Sequence, residues 1–301
     1  MTTSAGRSGD RAGPSHAAGG AAGAARAGSG MASGSGMASG SSGGAARPGP
    51  GAPGWLRPPV GGEVTPVRPA ATVVLLRPGS GTGAGQAPVE VLMLRRTSKV
   101  AFGGLWVFPG GAVDAQDADP GRPGDEAAAA RRAAVREAAE EAALTLVADS
   151  LVPIALWEPP PEAPRRYRTW FFVAPAPVAE VVVDGGEIDH HLWMAPAEVL
   201  ERQEAGDIEL APPTWMTLWR LASDASASGG AGDVSGLLQV AAARPVEEFR
   251  TEIARDGERM AALWDGDVAY GGGSLDEPGE RRRLWIAPGA WRVEWPAAAA
   301  G

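Results

Sequence analysis

Along this chain the spacing of apolar and polar positions changes several times, and each change predicts an element. In "ATVVLLRP" (71–78) and "VEVLMLRR" (89–96), aliphatic and β-branched residues run together between Gly and Pro boundaries. That pattern predicts two antiparallel strands joined by the flexible loop "GSGTGAGQA", which lacks the following helix and the G-K-S/T of a phosphate-binding loop. A glycine-punctuated strand and turn follow in "FGGLWVFPGGAVDAQD" (102–117). The stretch 125–147, "DEAAAARRAAVREAAEEAALTLV", switches to strong helix formers with few breakers, and Val135, Ala138, Ala142 and Leu146 have the spacing to pack on a sheet. Strands are predicted at 151–157, 167–174 and 188–194. Helices are predicted at about 196–205, with Pro196 in the first turn, and at about 213–222. Strands flanking one long helix, with a second helix after the sheet, predict an α/β fold: an α/β/α sandwich around a mixed sheet.

The ends of the chain read differently. Residues 1–65 are rich in Gly, Ala, Ser and Pro, as in "GSGMASGSGMASGSSGG", and offer little apolar surface to bury, which predicts a disordered tail. A transit peptide, a plain tail and an over-extended start with Met31 or Met37 as later initiators are the open readings of this segment. The folded domain is expected over 66–222. A Ser/Gly-rich linker is expected at 223–236, and an extension of short strands at 237–301. With no long apolar run, no signal core and no cysteine, the expected protein is cytoplasmic, without a membrane span, disulfides or thiol chemistry. A formal charge of −9 argues against a nucleic-acid partner held through phosphate contacts, though an acidic protein can still handle phosphates where a metal supplies the positive charge locally.

The chemistry concentrates in "REAAEEAAL" (136–144). Glu137, Glu140 and Glu141 fall within about a 100° arc of one helical face, where like charges at i,i+3 and i,i+4 repel by roughly 0.2–0.5 kcal/mol per pair. Arg136, the nearest cation, starts about a quarter-turn away. If the helix ends near Leu146, the glutamates also lie toward the end whose dipole disfavours negative charge. A solvated charged face is the plain reading of such a cluster. The other is a site for a divalent cation, since Mg²⁺ and Mn²⁺ prefer hard oxygen ligands.

"FPGG" followed by a helix bearing "REAAEEAAL" resembles the box of the Nudix hydrolase family, GX5EX7REUXEEXGU with U apolar. Gly111 matches the first glycine, Arg136 and Glu137 the RE pair, Ala138 the apolar position, Glu140 and Glu141 the EE pair, and Leu144 the last apolar position. Asp117 stands where the family has glutamate, and Ala143 replaces its glycine. Positions 118–135 number 18 where the pattern has seven, and the extra residues, "ADPGRPGD" among them, are expected to enlarge the turn before the helix. Such an interrupted box, with "LMLRRTSKVAFGGLWVFPGGAVD" and "EIDHHLWMAPAEVL" around it, is similar to the branch typified by the peroxisomal coenzyme A diphosphatase. The likeness covers about 68–222.

The resemblance implies metal-dependent hydrolysis of a diphosphate linkage in a nucleoside diphosphate joined to a moiety X, with coenzyme A or a derivative as the leading substrate. It implies Mg²⁺ or Mn²⁺ held by Glu137, Glu140, Glu141 and the backbone carbonyl at Gly111, with Arg136 orienting a carboxylate. Glu187, in "DGGEIDHH", is the expected base outside the box. Arg95, Arg96 and Arg166 are candidate phosphate contacts. The adjacent His190 and His191 point to opposite faces of a strand and suit a shared metal poorly. A Nudix-fold module that senses a nucleotide without turning it over is the alternative. The partner implied is a small nucleotide-diphosphate substrate; the oligomeric state is open, a homodimer included.

Overall fold

The computed structural model describes residues 65–80, 88–97, 103–227, 233–287 and 290–296. Residues 1–64 of the tail predicted over 1–65, the hairpin loop at 81–87 and the middle of the predicted linker, 228–232, lie outside the described residues.

The predicted strands form one mixed sheet. Its spine is β1 (Val67–Arg77), whose unbroken apolar run is buried on both faces, as an interior strand requires. Val74 and Leu76 enter one core layer, whereas Ala71, Val73 and Leu75 enter the other, following the two-residue alternation of a strand. β2 (Glu90–Arg96), β3 (Trp106–Val107), β4 (Gly110–Ala112), β5 (Val152–Glu158), β6 (Arg166–Pro175) and β7 (Ile188–Met194) join it. β1 runs parallel to β6 and antiparallel to β2 and β4.

The edge of β1 opposite β6 is shared between two strands. β2 pairs with it at Leu76 and Arg77, and β4 pairs with it at Ala70, Ala71 and Thr72. The strands therefore fork, with the end of β2 on one side and the glycines of β4 on the other.

Helix α1 (Glu126–Ala142) covers this face of the sheet through Ala130, Ala133, Ala134, Ala138 and Ala142, each fully buried against residues such as Val73, Leu75 and Phe172. Asp125 caps its start, its carboxylate accepting the Ala128 N–H at 3.0 Å. The predicted helix to residue 147 is too long. Ala143 turns into the left-handed region at φ 57°, and the Leu144 N–H returns to the Ala138 carbonyl at 3.1 Å, which closes the helix. Leu146 is buried beyond the helix rather than on its face, and Val135 is only partly buried. The insertion also behaves otherwise than expected: only 118–125 enlarge the turn, while 126–135 extend α1 toward its N-terminus.

On the opposite face lie α2 (Pro196–Glu204), α3 (Pro212–Ala227) and α4 (Val234–Ala243). The sandwich is thus the α/β/α arrangement expected, but the linker at 223–236 is corrected. Residues 223–227 continue α3, with the Ser223 and Ser226 hydroxyls donating back to the Trp219 and Ala222 carbonyls at 2.8 Å each, and Asp233 caps α4. The short strands expected over 237–301 are present from 247 to 294, after α4, and Phe249, Trp264 and Leu284 join the core of the main sheet. β8 (Glu247–Arg250) adds to the main sheet in parallel with β5, and Trp157 stacks on Phe249 at 3.8 Å. β9 (Glu252–Asp256), β10 (Arg259–Leu263), β11 (Arg283–Trp285) and β12 (Arg292–Glu294) then make a four-stranded antiparallel sheet.

Candidate active site

The fork between β2 and β4, covered by the C-terminal half of α1, gathers most of the predicted residues. Glycine makes the approach close enough. A Cβ on Gly110 would sit 2.4 Å from the Ala71 carbonyl oxygen, so β4 lies against β1 only without one. A Cβ on Gly111 would sit 2.4 Å from the Glu137 carboxylate. The two glycines of "FPGG" thus serve different contacts: one brings strand to strand, the other makes room for a carboxylate.

The box glutamates have three different surroundings. Glu141 is buried, and one of its oxygens, Oε2, accepts the Gly110 N–H at 2.9 Å. Its other oxygen, Oε1, faces the Arg96 guanidinium at 3.6 Å. Glu137 is half-buried and accepts from Arg136 at 2.8 Å, and Glu140 is exposed and accepts from the same arginine at 2.9 Å. Although Arg136 starts about a quarter-turn away, its side chain therefore reaches both glutamates.

Arg136 is itself fixed from the other side. It donates to the buried Asp117 at 3.0 and 3.3 Å and to the Ala112 carbonyl at 2.9 Å. The hydrogen bonds it donates to Asp117, and then to Glu137, hold its charge more firmly than usual against the cost of burial. Asp117 sits in a one-turn 3-10 segment (Ala115–Asp117), and its carboxylate also accepts the Asp114 N–H at 2.8 Å. Its oxygens are thus committed to holding the arginine and the turn.

Burial sets the electrostatics. Desolvation pushes the Glu141 carboxyl up to about 7; the Gly110 N–H and Arg96 oppose the rise, and Glu137 and Glu187 add to it. Desolvation likewise raises Glu137, against the pull of Arg136 and with the repulsion of Glu140 and Glu187 behind it. The carboxylates of α1 and of the 184–187 loop therefore repel one another across the fork.

Glu187 comes to the same place from the loop before β7. Asp184 shapes that loop by accepting the Glu187 and Ile188 N–H groups at 2.9 Å each; partial burial works against its charge, but these bonds hold it below its ordinary range. The Thr97 N–H donates to the Glu187 carbonyl at 2.8 Å, tying the loop to the end of β2. The Glu187 side chain accepts from Arg96 at 2.7 Å. In the pairing of β2 with β7 the register shifts between Arg95 and Arg96, a bulge of the kind that re-aims a side chain.

Three predicted residues are placed differently from expectation. Arg95 is not in the cluster; it is ion-paired at the surface with Asp189 at 2.7 Å. Arg166 pairs in register with Val67, four residues along β1 from the partner of Gly111, or about 13 Å away at ~3.3 Å per residue. It bonds to Glu158 at 3.3 Å instead. The Gly111 carbonyl points into the β1 ladder: Val73 donates to Pro109 and Val113 to Pro69, so by antiparallel alternation Gly111 exchanges its bonds with Ala71. The carbonyl on the helix side is that of Gly110, whose N–H already turns toward Glu141. Asp184 and the bridging position of Arg96 had no place in the expectation. The first was legible as the Asx turn of "DGGE"; the second depends on two elements meeting.

Among the described residues no three carboxylates or imidazoles converge on one point as a ready coordination shell. The donor chemistry nevertheless fits a hard divalent ion, for carboxylate oxygens and a backbone carbonyl line the fork and the acids repel one another.

Comparison with known proteins bears on the family and the fold. The family model described as "NUDIX domain" matches residues 66–212. A Nudix hydrolase of Alicyclobacillus acidocaldarius is 23% identical with a TM-score of 0.50, over 61% of this chain and all of that one, and shows the same fold. The NUDIX domain of Shewanella oneidensis NrtR, solved with ADP ribose, is 18% identical over 54% of this chain and 88% of that one, with a TM-score of 0.39. A MutT Nudix hydrolase of Burkholderia pseudomallei is 20% identical over 51% and 96%, with a TM-score of 0.36. No match is found among curated proteins.

Proposed function

From the premise that residues 66–212 are a Nudix domain and the chain a pyrophosphohydrolase of that family, we propose that it splits the diphosphate linkage of a nucleoside diphosphate joined to another group, with coenzyme A or a derivative as substrate. The observation that carries this reading is the meeting of Glu141 and Glu137 with Glu187 across the β2/β4 fork, beside the Gly110 backbone. An excess of carboxylates kept partly dry is costly in a structural role, and it is the arrangement a phosphate-bound divalent ion uses.

Glu137, Glu140, Glu141 and the Gly110 carbonyl would hold Mg²⁺ or Mn²⁺. When bound, the ion neutralises phosphate oxygens and makes a water more acidic. The rest falls to the chain. Arg136, fastened to Asp117, sets the positions of Glu137 and Glu140 by charge-assisted hydrogen bonds. Glu187, held by the Asp184 turn, accepts the proton of the attacking water. The water oxygen bonds to one phosphorus as the bridging P–O bond breaks, and the other phosphate leaves with that bond's electron pair. The coenzyme A assignment rests on the interrupted box and its flanking motifs.

A hydrolysis panel of coenzyme A, ADP-ribose, NADH and dinucleoside polyphosphates, run with Mg²⁺ and with Mn²⁺ beside Glu141→Gln, tests the reading. Metal-dependent cleavage that the variant loses is expected. Binding of one of these nucleotides with no cleavage under either metal would replace it with the sensing module.

A further inference from the structure

Arg96 occupies an unusual position for a phosphate contact. Its guanidinium stands between Glu141 Oε1, at 3.6 Å, and Glu187 Oε2, at 2.7 Å, and its side chain is largely buried. The other Glu141 oxygen is already committed to the Gly110 N–H. The oxygen of Glu141 left for an ion is therefore the one that faces Arg96. The Glu187 oxygen that Arg96 holds belongs to the group proposed to take the proton from water.

Arg136 differs in how it is fastened. It is bound to a buried aspartate of a 3-10 turn and to a β4 carbonyl, partners that are not among the box glutamates. Arg96 instead spans two elements, α1 and the 184–187 loop. A doubly charged ion on Glu141 Oε1 would lie within a few ångströms of this guanidinium, and the two cations repel. We propose that Arg96 is an internal competitor for the divalent ion: the ion displaces it from Glu141 and Glu187, which frees Glu187 as base and releases the guanidinium toward the anionic phosphates of the substrate. This rests on the reading of the site given above and adds a coupling to it. Metal entry, base release and phosphate recognition become one exchange of cations.

The test is Mn²⁺ binding by calorimetry, without nucleotide, to the wild type, Arg96→Ala and Arg96→Lys, with substrate kinetics alongside. Removing the competitor should tighten Mn²⁺ binding by about tenfold in Arg96→Ala. Arg96→Lys keeps the charge and should stay near the wild-type affinity. The KM of Arg96→Ala should rise at the same time, so metal and substrate affinities move in opposite directions. A residue that merely supports the fold would weaken both. Equal or weaker Mn²⁺ binding in Arg96→Ala, with Arg96→Lys still folded and binding, overturns the proposal and leaves the functional reading standing. No Mn²⁺ uptake by the wild type, with or without a nucleotide, overturns both.

Discussion

Two arginine–carboxylate systems in this protein contrast in how completely their charges are matched. At the four-stranded C-terminal sheet, the side chains of Arg283 in β11 and Asp267, between β10 and β11, are both fully buried. Arg283 donates to Asp267 through two nitrogens and to the Leu275 carbonyl at 2.9 Å, while Asp267 also accepts the Ala269 and Arg282 N–H groups at 2.8 and 2.9 Å. Desolvation disfavours the aspartate's charge, yet Arg283 and these donors hold it below its ordinary value. At the fork between β2 and β4, carboxylates outnumber the guanidiniums of Arg96 and Arg136, and burial drives Glu141 and Glu137 upward. The matched pair is used up in folding. The unmatched group keeps an appetite for positive charge, which folding alone leaves unsatisfied.

The strongest way to break this contrast is Arg283→Met. It strands a buried aspartate and should cost about 3–5 kcal/mol in urea unfolding, with hydrolysis per folded molecule unchanged. A loss under about 1 kcal/mol would mean the pair is not the anchor its burial implies. At the fork, Glu141→Gln should have the opposite profile. Hydrolysis should fall by roughly 10²–10⁴-fold, while the unfolding midpoint stays level or rises as like-charge repulsion is removed. A large loss of stability with activity retained would make Glu141 structural.

The pH dependence sharpens the comparison because the two signs are opposite. Glu141 holds its proton more tightly folded than unfolded, so its stabilising contribution is complete below the ordinary glutamate value of 4.5 and is lost as pH rises through about 7. Asp267 has a lowered value. Its contribution is present above the ordinary 3.8 and is lost as pH falls through the folded value. Urea midpoints measured against pH should therefore decline on both sides. Glu141→Gln should flatten most of the neutral limb, Glu137 supplying the remainder, and Asp267→Asn should flatten the acid limb. Identical profiles in the two variants would refute the assignment.

The smallest expected effect lies at the end of α1. Ala143 is the described non-glycine residue with positive φ, so Ala143→Gly should stabilise by about 0.5–1 kcal/mol. Catalysis should be untouched. A changed kcat would show that the helix end sets the glutamates' positions more tightly than the geometry suggests.

Much of the molecule was legible in residue order. The strands at β1, β2, β5, β6 and β7 followed from apolar runs between turn residues, and α1 from its run of helix formers, because these signals are local. Where local signals misled, a longer-range contact had overruled them. The Ser/Gly-rich stretch after residue 222 reads as a linker, yet Ser223 and Ser226 return their hydroxyls to helix carbonyls and α3 continues to Ala227. The end of α1 reads past 143 because alanine and leucine are good helix formers; the reversal at Ala143 instead lets Leu144 bury.

By itself the sequence determined which residues share a helical face, that "FPGG" precedes that helix, and that three glutamates beside one arginine would gather there. Only the tertiary structure decided which arginine answers which carboxylate. It sent Arg166 to the far end of β1 and Arg95 to the surface, gave the helix-side carbonyl to Gly110 rather than Gly111, and set Arg96 between Glu141 and Glu187. The reason is one of range: helical and strand periodicity are set by neighbours a few residues apart, whereas charge pairing and desolvation depend on chain segments that meet only when the sheet forks and the helix closes over it.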